Sequence, residues 1–201
     1  MGQSKNAGLV QLMGSGTNAK EPAQDMSSGT VTVGTITGTF TPGETITQAT
    51  SLVTATLVSA VPGLLTFSGA SGPFLTADVI TGGTSGAHAA ATAGSTYTNI
   101  VSPALVILTV DDVSLQFLWT GTPTGVISIA ASNDYEDTNG HVSNAGTWDT
   151  LTLSPAITQP AGGASHYTVW LALIPAKALQ VTYVPTSGAG TLSINCCFKG
   201  L

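Results

Sequence analysis

The residues of this chain best suited to chemistry sit in one loop. Asp134, Glu136, Asp137 and Asn139, with Gly140 and His141, place oxygen ligands at alternating positions before a glycine. That pattern is the beginning of a calcium loop. The spacing then fails. An EF-type loop needs an oxygen ligand at 138 and glycine at 139, where this chain has Thr138 and Asn139, and no bidentate acid follows at the right distance. A solvated hairpin loop accounts for the same residues, so no metal ligand is assigned. Asp111-Asp112 is a paired acid before a strand, where protection of a strand edge explains it. A glycosidase would place two carboxylates about 5–9.5 Å apart in a cleft with aromatic subsites. Aromatic residues make up only 6% of the chain, which argues against one.

The remaining nucleophile and ligand types are scattered. His88, His141 and His166 have no Cys/His metal spacing. No Gly-x-Ser-x-Gly elbow accompanies them. Gly14-Ser15-Gly16 with Lys20 lacks phosphate-loop spacing, and Gly82-Gly83-Thr84-Ser85-Gly86 reads as a turn. Cys196 and Cys197 are adjacent, so a strand points them to opposite faces and no disulfide framework is available. Trp119, Trp148 and Trp170 each lie in or beside an expected strand. They read as core or interface packing, with a sugar-stacking platform as the alternative. Catalytic, cofactor-binding and metal residues are therefore all expected to be none, and no cofactor is implied.

Composition narrows the partners. Charged residues are 7% of the chain, and its only cations are Lys5, Lys20, Lys177 and Lys199 against ten acids, for a net charge of −6. Nucleic-acid binding needs clustered cations to neutralise phosphates, so it is not expected. Four dispersed lysines make no polybasic membrane patch. The N-terminus lacks an apolar signal-peptide core, and no window reaches the ~18 apolar residues of a spanning helix. A surface of Thr and Ser hydroxyls with few charges is one that partners can cover.

The elements that would carry these residues are strands. Residues 1–29 read as an extended N-terminal arm whose sticky part is Leu9-Val10-Gln11-Leu12-Met13. Residues 30–97 contain a repeat at a constant offset of 34, in which Phe40, Ile46, Thr47, Thr50, Ser51 and Ala55 are repeated as Phe74, Ile80, Thr81, Thr84, Ser85 and Ala89. Glu44 and Asp78 keep an acid at one position, beside turns where solvation explains them. Short alternating strands broken by Gly/Pro turns predict a small duplicated β-barrel or β-sandwich unit, as two similar halves packed face to face. Residues 98–201 predict a β-sandwich, jelly-roll-like, closed by a hairpin around Pro185–Gly190. Tyr167 to Leu173 reads as a strand covered on both faces. The fold class is all-β, with the duplicated unit projecting from the sandwich.

The second block carries a family resemblance. Leu115-Gln116-Phe117-Leu118-Trp119-Thr120-Gly121-Thr122, Ala131-Ser132-Asn133-Asp134, Trp148, Tyr167, Ile174-Pro175-Ala176, Leu179-Gln180-Val181-Thr182-Tyr183 and Thr186–Leu192 resemble, in that order, a β-sandwich domain of small structural proteins of tailed bacteriophages. The repeat is similar to a Gly-Glu-Thr-Ile-Thr … Thr-Ser-Gly-Ala-Thr-Ala module of phage virion proteins. The first copy departs from it at Leu52-Val53, and the second at His88. The resemblance implies a non-enzymatic virion protein assembled in the host cytoplasm. It implies capsid decoration (cement), in contact with the major capsid protein and as a homo-oligomer, with a trimer favoured. A tail, baseplate or head-fibre component, or a glycan-binding adhesin module, is the alternative.

Overall fold

The computed structural model describes residues 7–14, 20–108, 110–138, 141–153, 157–158, 160–172 and 175–200. Among them there is no helix, and every element is a strand. The N-terminal stretch supplies β1 (Ala7–Met13) and β2 (Gln24–Asp25). The middle supplies β3 (Gly29–Thr32), β4 (Thr45–Gln48), β5 (Thr54–Val61), β6 (Leu64–Ser68), β7 (Val79–Gly82), β8 (His88–Ala90) and β9 (Thr96–Tyr97). The rest supplies β10 (Ile100–Val101), β11 (Leu105–Val106), β12 (Val110–Trp119), β13 (Thr124–Ser132), β14 (Glu136–Thr138), β15 (His141–Asn144), β16 (Asp149–Thr150), β17 (Ser165–Ala172), β18 (Ala178–Ser187) and β19 (Thr191–Gly200).

Two five-stranded antiparallel sheets form the sandwich. One runs β1-β19-β12-β17, with β2 also on β19; the other runs β10-β18-β13-β16, with β11 also on β18. The period of two decides which side chains meet between them. Val113, Leu115, Phe117 and Trp119 of β12 and Leu192, Ile194 and Cys196 of β19 are buried in one cluster with Ile127, Ile129, Leu179, Val181 and Tyr183 of the facing sheet. The described part of the N-terminal stretch lies on its own chain. Ala7 to Met13 pairs antiparallel with β19, and Leu12, Met13 and Met26 enter the sandwich core.

The sandwich is thus built from both ends of the chain, and the repeat region is inserted between β2 and β10. Its entry and exit strands lie side by side, with Gly29 opposite Tyr97 and the Thr98 N–H donating to the Ser28 carbonyl at 2.9 Å. The inserted sheet runs β8-β7-β4-β5-β6-β3-β9. Bridges Val33–Ala91 and Thr37–His88 join β8 and its continuation to the segment that follows β3, so the strands from β8 round to β3 close into a small barrel. Closure leaves no open edge on the ring. Val31, Val33, Phe40, Ile46, Leu57, Leu65, Phe67, Phe74 and Ile80 are among the side chains that fill it.

The two copies do not pack face to face as separate units, which corrects that expectation. They interleave. Val31 lies opposite Leu65, and Thr47 opposite Thr81, and both pairs differ by the repeat offset of 34. A local two-fold axis therefore passes through both seams. The backbone bonds obey it. Ala49 N to Val79 O has its mate in Gly83 N to Thr45 O, and Gln48 N to Val53 O in Gly82 N to Ala87 O. Left-handed backbone recurs at the same offset, at Gly43 and Ala77 and at Leu52 and Gly86. Leu52 and Ala77 hold a conformation that glycine adopts more cheaply.

Candidate functional site

Several of the described residues with chemical potential have a structural occupation. Asp134 accepts from Ser132 Oγ at 2.8 Å, from the Thr147 N–H at 2.7 Å and from Thr147 Oγ1 at 3.0 Å. The Thr147 amide and the Ser132 hydroxyl hold its carboxyl below the usual range. Glu136 pairs with Lys177 at 3.4 Å on the surface. The loop from Ser132 to Gly146 contains the hairpin β14–β15; Asn139 and Gly140 of the calcium-like pattern lie outside the described residues. Among the described residues no three His, Cys, Asp or Glu side chains come together as metal ligands. His88, His141 and His166 sit on three different strands of three different sheets.

The tryptophans do not form a platform. Trp119 is buried on the inner face of β12, and its Nε1–H donates to Gly163 O at 2.7 Å. Trp148 is half-buried against Tyr135, with ring centroids 5.5 Å apart. Trp170, on the outer face of β17, is 85% exposed. The adjacent cysteines point to opposite faces: Cys196 is buried and Cys197 exposed. Burial, and then the neighbouring Cys197, pushes the Cys196 thiol up to about 12, which leaves it an inert core residue.

The built polar features are instead carboxylates that tie backbone together. Glu44 is only 6% exposed. Its Oε1 accepts from the Thr41 N–H at 2.7 Å and from Ser85 Oγ at 2.8 Å. Its Oε2 accepts from the N–H groups of Thr84 at 3.0 Å and Ser85 at 2.9 Å. Asp78, its mate in the repeat, does the converse. It accepts from the N–H groups of Thr50 at 2.9 Å and Ser51 at 3.1 Å and from Thr50 Oγ1 at 3.0 Å. Each copy's acid therefore clamps the other copy's loop. Solvation does not explain these acids; charge-assisted bonds across the barrel seam do.

The clamps are equivalent but differently made. Asp78 is one methylene too short to reach the Leu75 N–H, which is the counterpart of Thr41. Gln48 does so instead: its Oε1 accepts from Leu75 N at 2.8 Å, and its Nε2 donates to Leu75 O at 2.6 Å. Gly82 is the counterpart of Gln48. A Cβ there would fall 2.6 Å from both Glu44 carboxylate oxygens and closer still to Ser85 Oγ. Long acid with glycine in one half thus equals short acid with glutamine in the other.

Burial raises the Glu44 pKa, but the N–H groups of Thr41, Ser85 and Thr84 and the Ser85 hydroxyl outweigh it and bring it down from 4.5 to about 2. A carboxylate with a depressed folded pKa contributes stability above its unfolded pKa and loses it as pH falls through the folded value. The barrel is therefore expected to weaken between pH 4.5 and about 2. Glu44→Gln, followed by far-UV circular dichroism against pH, is expected to remove much of that acid dependence. An unchanged acid transition would show that the clamp carries none of it.

A third carboxylate fixes the barrel to the sandwich. Asp25 accepts from Ser27 N at 3.0 Å, Ser27 Oγ at 2.8 Å, Ser28 Oγ at 2.6 Å and Gly69 N at 2.8 Å. Neither Asp25 nor Gln48 stands out in the sequence. Only the offset of 34 marks Gln48, by pairing it with a glycine. No protein-family model matches the chain, and no curated protein matches it.

Proposed function

We propose that this chain is a non-enzymatic structural protein of a tailed-bacteriophage virion, a capsid decoration protein that stabilises the head by bridging neighbouring capsid subunits. The observation that carries this reading is the use of the carboxylates: Asp25, Glu44, Asp78 and Asp134 all serve as acceptors holding loops and lobes in place. These charge-assisted bonds stiffen the molecule. The resemblance of both blocks to phage structural modules supports the same reading, as does a surface with few charges.

In this role the protein assembles in the host cytoplasm, works as a homo-oligomer, and touches the major capsid protein through buried area and strand-edge contacts. A tail or fibre position would use the same surfaces. The separated tryptophans favour this reading over a sugar-binding module. The test is binding to heads that lack the chain. Saturable binding at a fixed ratio to the major capsid subunit, with a raised temperature of head disruption, is the expected result. Failure to bind heads, with binding to tails or to glycans, would overturn it.

A further inference from the structure

We propose that β17 is the self-association edge of this protein: two copies pair β17 to β17 antiparallel about a two-fold axis, joining their five-stranded sheets into one. β17 pairs along its whole length with β12, from Ser165↔Trp119 to Ala172↔Asp112, and among the described residues no other strand lies on its far side. An edge strand presents a row of main-chain donors and acceptors, and natural proteins blunt such edges with bulges, short strands, charge or closure. The described edges elsewhere in the molecule show these devices. β1 carries a register shift between Gln11 and Met13. β2, β10, β11 and β16 are two residues each. The β14–β15 hairpin carries Glu136 and Asp137, and the barrel is closed. β17 has eight residues, regular pairing without a shift, no proline, and no lysine, arginine or acid.

The occupant follows from the same features. Main-chain groups in a row are satisfied by another extended strand. A net charge of −6 opposes self-association across most surfaces, but a seam free of formal charge meets its own copy without like-charge repulsion. Antiparallel pairing of one strand with itself is isologous and closes at two. Trp170 is the anchor. At 85% exposed beside Thr168 and Ala172 on the outer face, it is the most exposed large apolar side chain among the described residues, and tryptophan is a common centre of binding energy. A two-fold seam differs from the three-fold assembly that the family resemblance implies. The proposal specifies the oligomeric surface used in the decoration role above and rests on that reading only for its purpose.

The test is sedimentation of the full chain across a concentration series, with amide hydrogen exchange. The wild type is expected to sediment as a dimer, with β17 amides protected at high concentration and exchanging at low. Trp170→Lys and Thr168→Lys are expected to retain the fold by circular dichroism. They are expected to weaken self-association by roughly 30-fold or more, the loss of one central aromatic anchor or the gain of a buried like-charge pair. Val126→Lys, on the exposed face of the other sheet, adds the same charge and is expected to leave the dimer intact. A monomeric wild type, or an oligomer indifferent to both β17 substitutions, overturns the proposal. A monomer that still binds heads would sink the pairing and spare the decoration reading; a dimer that binds no heads would do the reverse.

Discussion

Gly82→Gln is expected to break the barrel, and Glu44→Asp in the same chain to mend it. Alone, Gly82→Gln drives a side chain into the space held by the Glu44 carboxylate and Ser85 Oγ. Overpacking of this kind, against a charged group that cannot relax without losing its N–H partners, costs about 3 kcal/mol. Alone, Glu44→Asp withdraws the carboxylate from the Thr41 N–H while keeping its charge. Losing one hydrogen bond to a charged acceptor costs about 1.5–3 kcal/mol. Together the two changes rebuild, in the second half of the barrel, the Asp78–Gln48 arrangement that already exists in the first. The double variant is expected to unfold within about 1 kcal/mol of the wild type, a coupling of at least about 3.5 kcal/mol between neighbours. Urea denaturation of the four proteins measures it. Additive losses would show that the two halves are not interchangeable.

The second large effect concerns the insertion. Deleting residues 29–97 and joining Ser28 to Thr98 through a pair of glycines is expected to leave a folded sandwich. The joined ends are already hydrogen-bonded across the gap. All three tryptophans lie in the sandwich, so its near-ultraviolet spectrum is expected to persist with a cooperative thermal transition. The excised barrel, residues 29–97, carries its own core and a closed ring of strands, and it is expected to fold separately. What is lost is the junction, chiefly the Asp25–Gly69 bond and Ser27 O accepting from the Ala70 N–H. A sandwich that collapses without the barrel would show that the lobes share one core.

Much of the architecture is legible in the chain. The alternation in Val113–Trp119 and Thr191–Cys196 sets both strand type and inward face, because a period of two leaves no other way to bury Leu115, Phe117 and Ile194. The repeat at Phe40–Ala55 marks two equivalent halves. Its upstream strands escape notice because Val31-Thr32-Val33 and Leu65-Thr66-Phe67 share pattern but little identity. Interleaving was not legible either. Which copy a strand pairs with depends on seams such as Thr47↔Thr81, and each half alone reads the same in either arrangement.

The role of the acids is hidden in the sequence for a related reason. Glu44 stands beside a Pro-Gly turn, where exposure is the ordinary outcome; its burial depends on Thr84 and Ser85, forty residues away in sequence. The arm shows the same limit. Leu9 to Met13 is plainly sticky, but its partner strand lies at the opposite end of the chain. Tyr167 to Leu173 looks apolar on both sides, yet Tyr167, Val169 and Leu171 face the core while Thr168, Trp170 and Ala172 face outward uncovered. Alternation identifies a strand; it does not say whether the second face is covered by the same molecule.

The claim that the molecule is a rigid building block of a virion is tested most directly by a density map of gradient-purified particles. Density for the sandwich and the projecting barrel is expected on the outer surface of the head, in fixed ratio to the major capsid subunits. Particles without that density, with the chain left in the unassembled fraction, would contradict it.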